Sequence, residues 1–294
     1  MSALAVFGPT ASGKSATALE LARALNGEIV SCDAMQMYRG LPILTNQPSQ
    51  AELDAVPHHL VGVWELEHRG SVAEFGELAR KAIAGIAARG RLPILCGGSG
   101  LYLRAALAPI ELPPEPQEGT RERLDALYEE LGPAGAHALL ADRDPAAAGQ
   151  IHANDRRRVV RALELAEQGR SLAPGEDALW HRPAADEIRI FGLVVDPTEL
   201  DRRIDARTQA MFAAGVEDEV RAALAGHRFS ETAARMHGLQ DVQALLDGEI
   251  NRDEAMRRMT LRTRQYAKRQ RTWMRRLPGL VEVRGAGDIL ERAA

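Results

Sequence analysis

Gly8-Pro9-Thr10-Ala11-Ser12-Gly13-Lys14-Ser15 decides how this chain is read. The eight residues follow directly on the apolar run Leu4-Ala5-Val6-Phe7 and lead into a helix-like stretch, Ala16 to Leu25. Every fixed position of a phosphate-binding loop is filled, in the strand-loop-helix setting that the motif requires. Glycines at 8 and 13 let the backbone curl around an anion, so that successive N–H groups and the helix N-terminus point at phosphate oxygens. The loop residues Gly8, Thr10, Ala11, Ser12, Gly13, Lys14 and Ser15 are therefore expected to bind a di- or triphosphate, with the Ser15 hydroxyl able to hold Mg²⁺. Lys14 is one of three lysines, with Lys81 and Lys268, in a chain of 34 arginines, which points to a position needing a compact ammonium.

Outward from the loop, strand-like runs at Leu4 to Phe7, Glu28 to Cys32, Leu60 to Val63 and Leu92 to Cys96 alternate with helical stretches at 16–25 and 72–89. Ser71 and Glu74 stand at capping-box spacing and Gly90 marks the other end of the second helix. This alternation predicts an α/β fold, a P-loop NTPase-like parallel sheet flanked by helices, with chemistry at the carboxyl ends of its strands. From Pro113 to about Asp186 the texture changes to Ala-, Glu- and Arg-rich helical segments, read as an inserted all-helical module of residues 113–186 within a core of 1–112 and 187–294. A strand at Ile188 to Val195 resumes the sheet, and Asn251 with Glu254 caps a long helix reaching about Arg276.

The second strand ends in Ser31-Cys32-Asp33, which brings Asp33 to the sheet edge that carries the phosphate loop. It is a candidate general base or metal-binding carboxylate, or else an aspartate capping a turn. The third strand ends in Gly97-Gly98-Ser99-Gly100, where a nucleotide-hydrolysing loop protein would carry an acid. The glycines permit close backbone approach, and the Ser99 hydroxyl is placed to reach a phosphate or leaving-group oxygen; a tight strand-to-helix turn is the plainer alternative. Asp201, Arg203, Asp205 and Arg207 open the helix after Ile188 to Val195, where the arginines could reach back to the phosphate site; ordinary i,i+4 surface pairing is the plainer alternative.

A net charge of −4 excludes a globally basic nucleic-acid binder, so any such surface must be local. Two local runs stand out. Arg157, Arg158 and Arg161 share one helical stretch, and residues 252–276 carry ten basic side chains against two acidic ones, with Tyr266 and Trp273 interleaved. That imbalance favours a phosphate-backbone surface over an ordinary solvated face. Only Cys32 and Cys96 are present, without metal-type pairing, and His58-His59 lacks a ligand set, so both pairs are read as structural. No apolar run approaches the roughly 20 residues that span a bilayer, and a cytoplasmic protein without a membrane association is expected.

Together these blocks resemble the tRNA dimethylallyltransferases, also called tRNA isopentenyltransferases. The resemblance is carried by residues 8–15, Ser31-x-Asp33-x-x-Gln36-x-Tyr38-Arg39-Gly40, Pro57-His58-His59-Leu60, Gly97-Gly98-Ser99-Gly100-Leu101-Tyr102, Asn154-Asp155 with Arg158, Arg161-Ala162-Leu163-Glu164, and Thr263-Arg264-Gln265-Tyr266-Ala267-Lys268-Arg269-Gln270-x-Thr272-Trp273. It implies transfer of a dimethylallyl group from dimethylallyl diphosphate to N6 of adenosine 37, 3′ of the anticodon, with Mg²⁺ as cofactor and no obligate protein partner. It further implies that Asp33 is the general base, that Ser99 contacts the reacting centre and that Arg207 contacts the diphosphate.

The resemblance also implies a surface for the tRNA anticodon stem-loop. It would comprise Asp33-Ala34-Met35-Gln36, Arg121, Arg157-Arg158-Val159-Val160-Arg161, Arg235-Met236-His237-Gly238-Leu239-Gln240 and Lys268-Arg269-Gln270-Arg271-Thr272-Trp273-Met274-Arg275, with the helical module gripping the stem. The chain departs from the family pattern at Ala34, Ser99, Gln47 and Leu239, of which Ser99 keeps the hydroxyl. A small-molecule P-loop kinase is the alternative activity; it shares the loop and a helical insertion but leaves the 252–276 surface unexplained. A guanine-reading switch protein would need an Asn/Thr-Lys-x-Asp motif, and none of the three lysines sits in one.

Overall fold

A computed structural model describes residues 3–109, 119–173 and 188–293. The proline-rich junction at 113–116 and the expected boundary at 186–187 lie outside the described residues. The chain divides into two compact units, Met1–Ile110 with Pro183–Ala294, and Glu111–Arg182.

The first unit is a single six-stranded parallel sheet in the order β3-β2-β4-β1-β5-β6. The strands are β1 (Ala3–Phe7), β2 (Gly27–Ser31), β3 (His58–His59), β4 (Leu92–Gly97), β5 (Ile188–Leu193) and β6 (Leu280–Val283). All five residues of β1 are buried, as a central parallel strand covered on both faces requires. Its register sets Phe7 level with Gly97 of β4 and Gly192 of β5, so the phosphate loop leaves from the middle of the carboxyl edge. Helix α1 (Lys14–Ala24) lays Ala18 and Leu21 on Leu4, Val6, Ile94 and Phe191, forming the core of that face. Helices α2 (Pro42–Thr45) and α3 (Gln50–Ala55) follow β2, and α3 carries a complete capping box between Ser49 and Glu52. Helix α4 (Val72–Ala88) is capped by Ser71, which accepts from the Glu74 N–H, and α5 (Gly100–Leu107) follows β4.

The second unit consists of helices. Helix α6 (Thr120–Arg143) is kinked where Gly132 takes φ 67 ahead of Pro133; α7 (Pro145–Ala148) and α8 (Arg156–Glu167) are its other helices among the described residues. Its core is Leu124, Tyr128, Leu140, Val159, Val160 and Leu163. Val159 and Val160, placed by the resemblance in the tRNA surface, are thus core side chains of this unit. Glu164 is fully buried, and it accepts from Arg121 at 2.7 and 3.1 Å and from Arg161 at 2.8 Å.

Back in the first unit, α9 (Pro197–Ala213), α10 (Val216–Gly226), α11 (Leu239–Leu246) and α12 (Arg252–Met274) follow β5, and α13 (Ala286–Ala293) follows β6. Two expectations are corrected. The strand expected at 60–63 is instead His58–His59, because Leu60 and Gly62 take φ values of 64 and 58 that turn the chain out of the sheet. Strand β6 was absent from the sequence reading; it pairs Leu280 with Ile190 and Val283 with Leu193, and half of its four residues are exposed, which removes the apolar signal.

The amino edge of the sheet is tied by one buried carboxylate. Glu28 of β2 accepts from Arg89 and His59 at 2.6 Å each, with Arg91 at 3.5 Å. Burial alone would raise this carboxyl, but the hydrogen bonds from Arg89 and His59 outweigh it and hold it below the ordinary 4.5. A depressed carboxyl contributes stability above its unfolded value, and that stability is lost as pH falls through the folded one. Glu28→Ala is expected to cost about 1–3 kcal/mol in chemical denaturation at pH 7, and the difference from wild type should shrink below pH 4.5; an undiminished gap at pH 3 would remove the ion pair as its cause.

Candidate functional site

The backbone of the phosphate loop alternates in handedness, with Ala11 at φ 62 and Gly13 at φ 92, which turns intervening N–H groups toward one side as in an anion nest. Three of its N–H groups are engaged within the protein. Gly8 donates to the Gly97 carbonyl at 3.3 Å, Ser12 to the Pro9 carbonyl at 3.2 Å, and Thr10 to Gln270 Oε1 at 2.7 Å. The expectation that Gly8, Thr10 and Ser12 offer backbone donors to a ligand is corrected accordingly. The donors left for an anion are those of Ala11 and Gly13 and the first turn of α1, whose N–H groups have no carbonyl four residues back. Ser12 Oγ is buried without a partner among the described residues.

Lys14 and Ser15 open α1 into a cavity of about 530 Å³. Burial lowers the Lys14 ammonium, while Cys96 and Asp33 pull it back up. Arg207 of α9 is likewise lowered by burial and raised by Asp33; its Nη1 donates to Thr10 Oγ1 at 2.7 Å. Arg203, one turn earlier, donates to the Ser12 carbonyl at 3.4 Å and pairs with Glu199 at 2.7 Å. Both α9 arginines thus reach back to the loop, as their spacing suggested.

Asp33 lines the same cavity. Its Oδ1 accepts from the Met35 N–H at 3.0 Å, the turn-capping contact, and Oδ2 makes no hydrogen bond among the described residues. The aspartate therefore caps the turn and faces the cavity at once. The turn is fixed beyond it by Gln47, whose amide donates to the Gln36 and Tyr38 carbonyls at 3.1 and 2.6 Å. The departure from the family pattern at Gln47 thus carries a contact of its own. Tyr38 is buried, with its hydroxyl 2.7 Å from Thr232 Oγ1.

The cavity lining also has apolar residues: Leu44 from α2, Met211 from α9, Met236 and Met259. These four come from separate elements, and sequence reading identified none of them as cavity lining. Gly238 also lines the cavity, and its φ of 88 is a backbone conformation that strains any side chain, with a Cβ 2.6 Å from the movable Met259 Cε. His237 stacks on Tyr266 with ring centroids 4.6 Å apart at the edge of the same cavity, and burial and Arg269 lower its imidazole. Ser99 is the half-buried N-cap of α5, and it is not among the residues lining the cavity. Gly98 is required by close approach: a Cβ there would overlap Gln270 Nε2 and stand 2.6 Å from the Gly8 carbonyl oxygen.

The long helix α12 separates into two faces. Ala267, Gln270 and Met274 are buried, while Lys268, Arg269, Arg271, Trp273 and Arg275 are exposed and Thr272 is half-buried. Placing Gln270 and Met274 on a tRNA surface is therefore corrected, because the helical period turns them inward. Leu239 is also buried, as the first residue of α11. Of the ten basic side chains at 252–276, Arg252, Arg257, Arg258, Arg262 and Arg264 pair with carboxylates. Lys268, Arg269, Arg271, Arg275 and Arg276 form no ion pair among the described residues; Arg269 lies over the Tyr266 ring at 5.7 Å. Arg235 pairs with Glu231, and Gln240 is exposed. In the helical unit Arg157 and Arg158 are exposed, with Arg158 3.9 Å from Asp155, whereas Arg121 and Arg161 are committed to Glu164.

Among the described residues no three His, Cys, Asp or Glu side chains converge, and the oxygen donors beside the loop are the Ser15 hydroxyl and the Asp33 carboxylate. Hard oxygen ligands of this kind suit Mg²⁺ shared with a phosphate-bearing ligand rather than a protein cage. Cys96, beside Ser15, is pushed up to about 11 by burial, so it stays a neutral thiol.

Comparison with known proteins agrees over the whole chain. Residues 36–277 match the family model described as IPP transferase, and residues 1–61 that described as isopentenyl transferase. A tRNA dimethylallyltransferase of Anaeromyxobacter dehalogenans is 44% identical over 291 residues, covering 98% of this chain and 95% of the relative. One from Acidothermus cellulolyticus is 43% identical over 291 residues, at 98% and 91% coverage. A solved tRNA isopentenylpyrophosphate transferase from Bacillus halodurans superposes with a TM-score of 0.70 at 35% identity, covering 98% of this chain and 93% of that one. With a match of this extent on a phosphate-loop sheet that sets a carboxylate against a cation cluster, the chain belongs to the tRNA dimethylallyltransferase (IPP transferase) family.

Proposed function

We propose that this protein transfers a dimethylallyl group from dimethylallyl diphosphate to the N6 amine of adenosine 37 in tRNA. The observation that carries the reading is the mixed lining of one cavity: desolvated Lys14 and Arg207, the apolar Leu44, Met211, Met236 and Met259, and Asp33. A diphosphate ester with a short hydrocarbon tail has that polarity. A phosphoryl-transferring kinase is not favoured by the relatives, whose names describe prenyl transfer to tRNA.

An exocyclic adenine amine is a weak nucleophile, so the allylic C–O bond must break toward a well-stabilised leaving group. Lys14, Arg207 and the N–H groups of Ala11, Gly13 and the first turn of α1 would bear the charge that develops on the diphosphate. The new C–N bond forms at the allylic carbon as that C–O bond breaks, and Asp33 Oδ2 takes the proton released from N6. Mg²⁺ bound at Ser15 would supply further charge neutralisation to the diphosphate.

The target base is stacked in its loop and must be turned out, at a cost of about a few kcal/mol that backbone contacts offset. We assign those contacts to the exposed face of Lys268, Arg269, Arg271, Trp273 and Arg275, to Arg157 and Arg158 of the helical module at 113–186, and to Gln240 and His237. No helix among the described residues is long and apolar enough to cross a membrane, and tRNA as substrate argues for a cytoplasmic protein that acts without an obligate protein partner.

Incubation with labelled dimethylallyl diphosphate, Mg²⁺ and bulk tRNA should yield prenylated adenosine, and ATP should not serve as a phosphoryl donor to small molecules. Asp33→Ala should lower kcat by about 10² or more while tRNA affinity changes little; near-normal turnover would remove the base. Lys14→Ala should raise the KM for dimethylallyl diphosphate and lower kcat, measured at saturating tRNA. For the basic face, Arg271→Ala and Arg157→Ala should each weaken tRNA binding and reduce the slope of log K against log salt by about 0.7 to 0.9. A lower Tm with an unchanged slope would mean that they only stabilise their helices.

A further inference from the structure

Gln270 sits in the middle of the basic run of α12, yet it is 3% exposed and faces the phosphate loop. Its Oε1 accepts from the Thr10 N–H at 2.7 Å across 260 residues of sequence. Tyr266, one turn back on the same helix, lines the same cavity as Gln270. The approach is possible only because residue 98 is glycine, since any Cβ there would overlap the Gln270 amide. Thr10 is in turn held at its hydroxyl by Arg207 at 2.7 Å. Thr10 is thus held at both ends, its N–H by Gln270 and its hydroxyl by Arg207.

We propose that Gln270 is a positioning residue of the donor site: through the Thr10 amide it holds the phosphate loop in its anion-binding shape. Ala11 follows directly in a left-handed conformation that a non-glycine residue adopts only when its surroundings impose it. The clamp on Thr10 is the neighbouring contact that imposes it. Gln270 accordingly serves the diphosphate, while its sequence neighbours Lys268, Arg269 and Arg271 face outward. The helix that bears the proposed tRNA surface is thereby joined to the donor loop by one side chain. This inference rests on the reading of the cavity as a diphosphate site.

The test uses the full chain with three probes: inorganic diphosphate with Mg²⁺, a full-length tRNA transcript, and hydrogen exchange at the Thr10 amide. Gln270→Met, similar in size but without the acceptor, should raise the Kd for inorganic diphosphate about tenfold, the scale of one lost hydrogen bond. It should also speed exchange at Thr10 and leave the tRNA Kd within about twofold. Gln270→Asn, one methylene too short to reach, should behave alike, and it stands in should the methionine variant not fold. Gln270→Glu keeps an acceptor and should keep Thr10 protected. The inference is overturned if wild type binds inorganic diphosphate and the Met or Asn variant binds it equally well, or if only tRNA binding suffers. Failure of wild type itself to bind inorganic diphosphate would instead bring down the diphosphate reading, and the positioning role with it.

Discussion

The fixing of Thr10 is the constraint on which the site depends. A loop that offers N–H groups to an anion has to dispose of the N–H groups that point the wrong way, because a buried unpaired donor costs about 1–3 kcal/mol. Here each is given an internal acceptor: Gly8 uses the neighbouring strand, Ser12 the turn and Thr10 the side chain of Gln270. What remains unpaired is then directed into one cavity. The same residue accepts from Arg207 at its hydroxyl, so a cation of α9 and an amide of α12 are brought to one point of the loop. The sheet makes this convergence possible, since β1 lies between β4 and β5 and the loop emerges at its carboxyl end.

Charge within the cavity is arranged around Asp33. Lys14 and Arg207 are both depressed by burial, and Asp33 offsets part of that cost in each. One carboxylate against two desolvated cations leaves positive charge to be neutralised by a ligand, which is the state a diphosphate would complete. The hydroxyl of Tyr266, raised by burial and by Asp33, stays protonated at neutral pH, so it can donate or accept a hydrogen bond but not carry charge.

Much of the fold was legible because its strongest signals are local. The phosphate loop, the capping pairs Ser71 with Glu74 and Asn251 with Glu254, and the buried strands β1, β2 and β4 each lie within a few consecutive residues, and each formed. The misreadings have the opposite character. Leu60 is apolar and β-prone, but its positive φ is imposed by the turn that sets Trp64 beside Tyr38. Strand β6 completes the sheet by hydrogen bonds to β5, and its half-exposed residues carry little apolar pattern. In the site, Lys14, Asp33 and Arg207 were found from motif and spacing, whereas Leu44, Met211, Met236 and Met259 meet only in the folded chain.

Helix α12 shows why a contiguous run is a poor unit for assigning a surface. Residues 268–275 are continuous in sequence, but a period of 3.6 residues sends 267, 270 and 274 to one side. Those three are Ala267, Gln270 and Met274, all buried, and the cations between and after them are exposed. A second sorting acts on charge. The first two-thirds of the helix spends its arginines on carboxylates of α9, α10, α11 and its own first turn, as Arg252 with Glu217, Arg262 with Asp241 and Arg264 with Asp205 illustrate. These pairs fasten the helix; the half-exposed ones contribute little individually, whereas Arg262 meets the buried carboxylate of Asp241. The last third has no such partners among the described residues, so its cations keep their full field for a polyanion. A chain that is acidic as a whole can therefore carry a nucleic-acid surface, provided that its positive charge is left unpaired on one helical face.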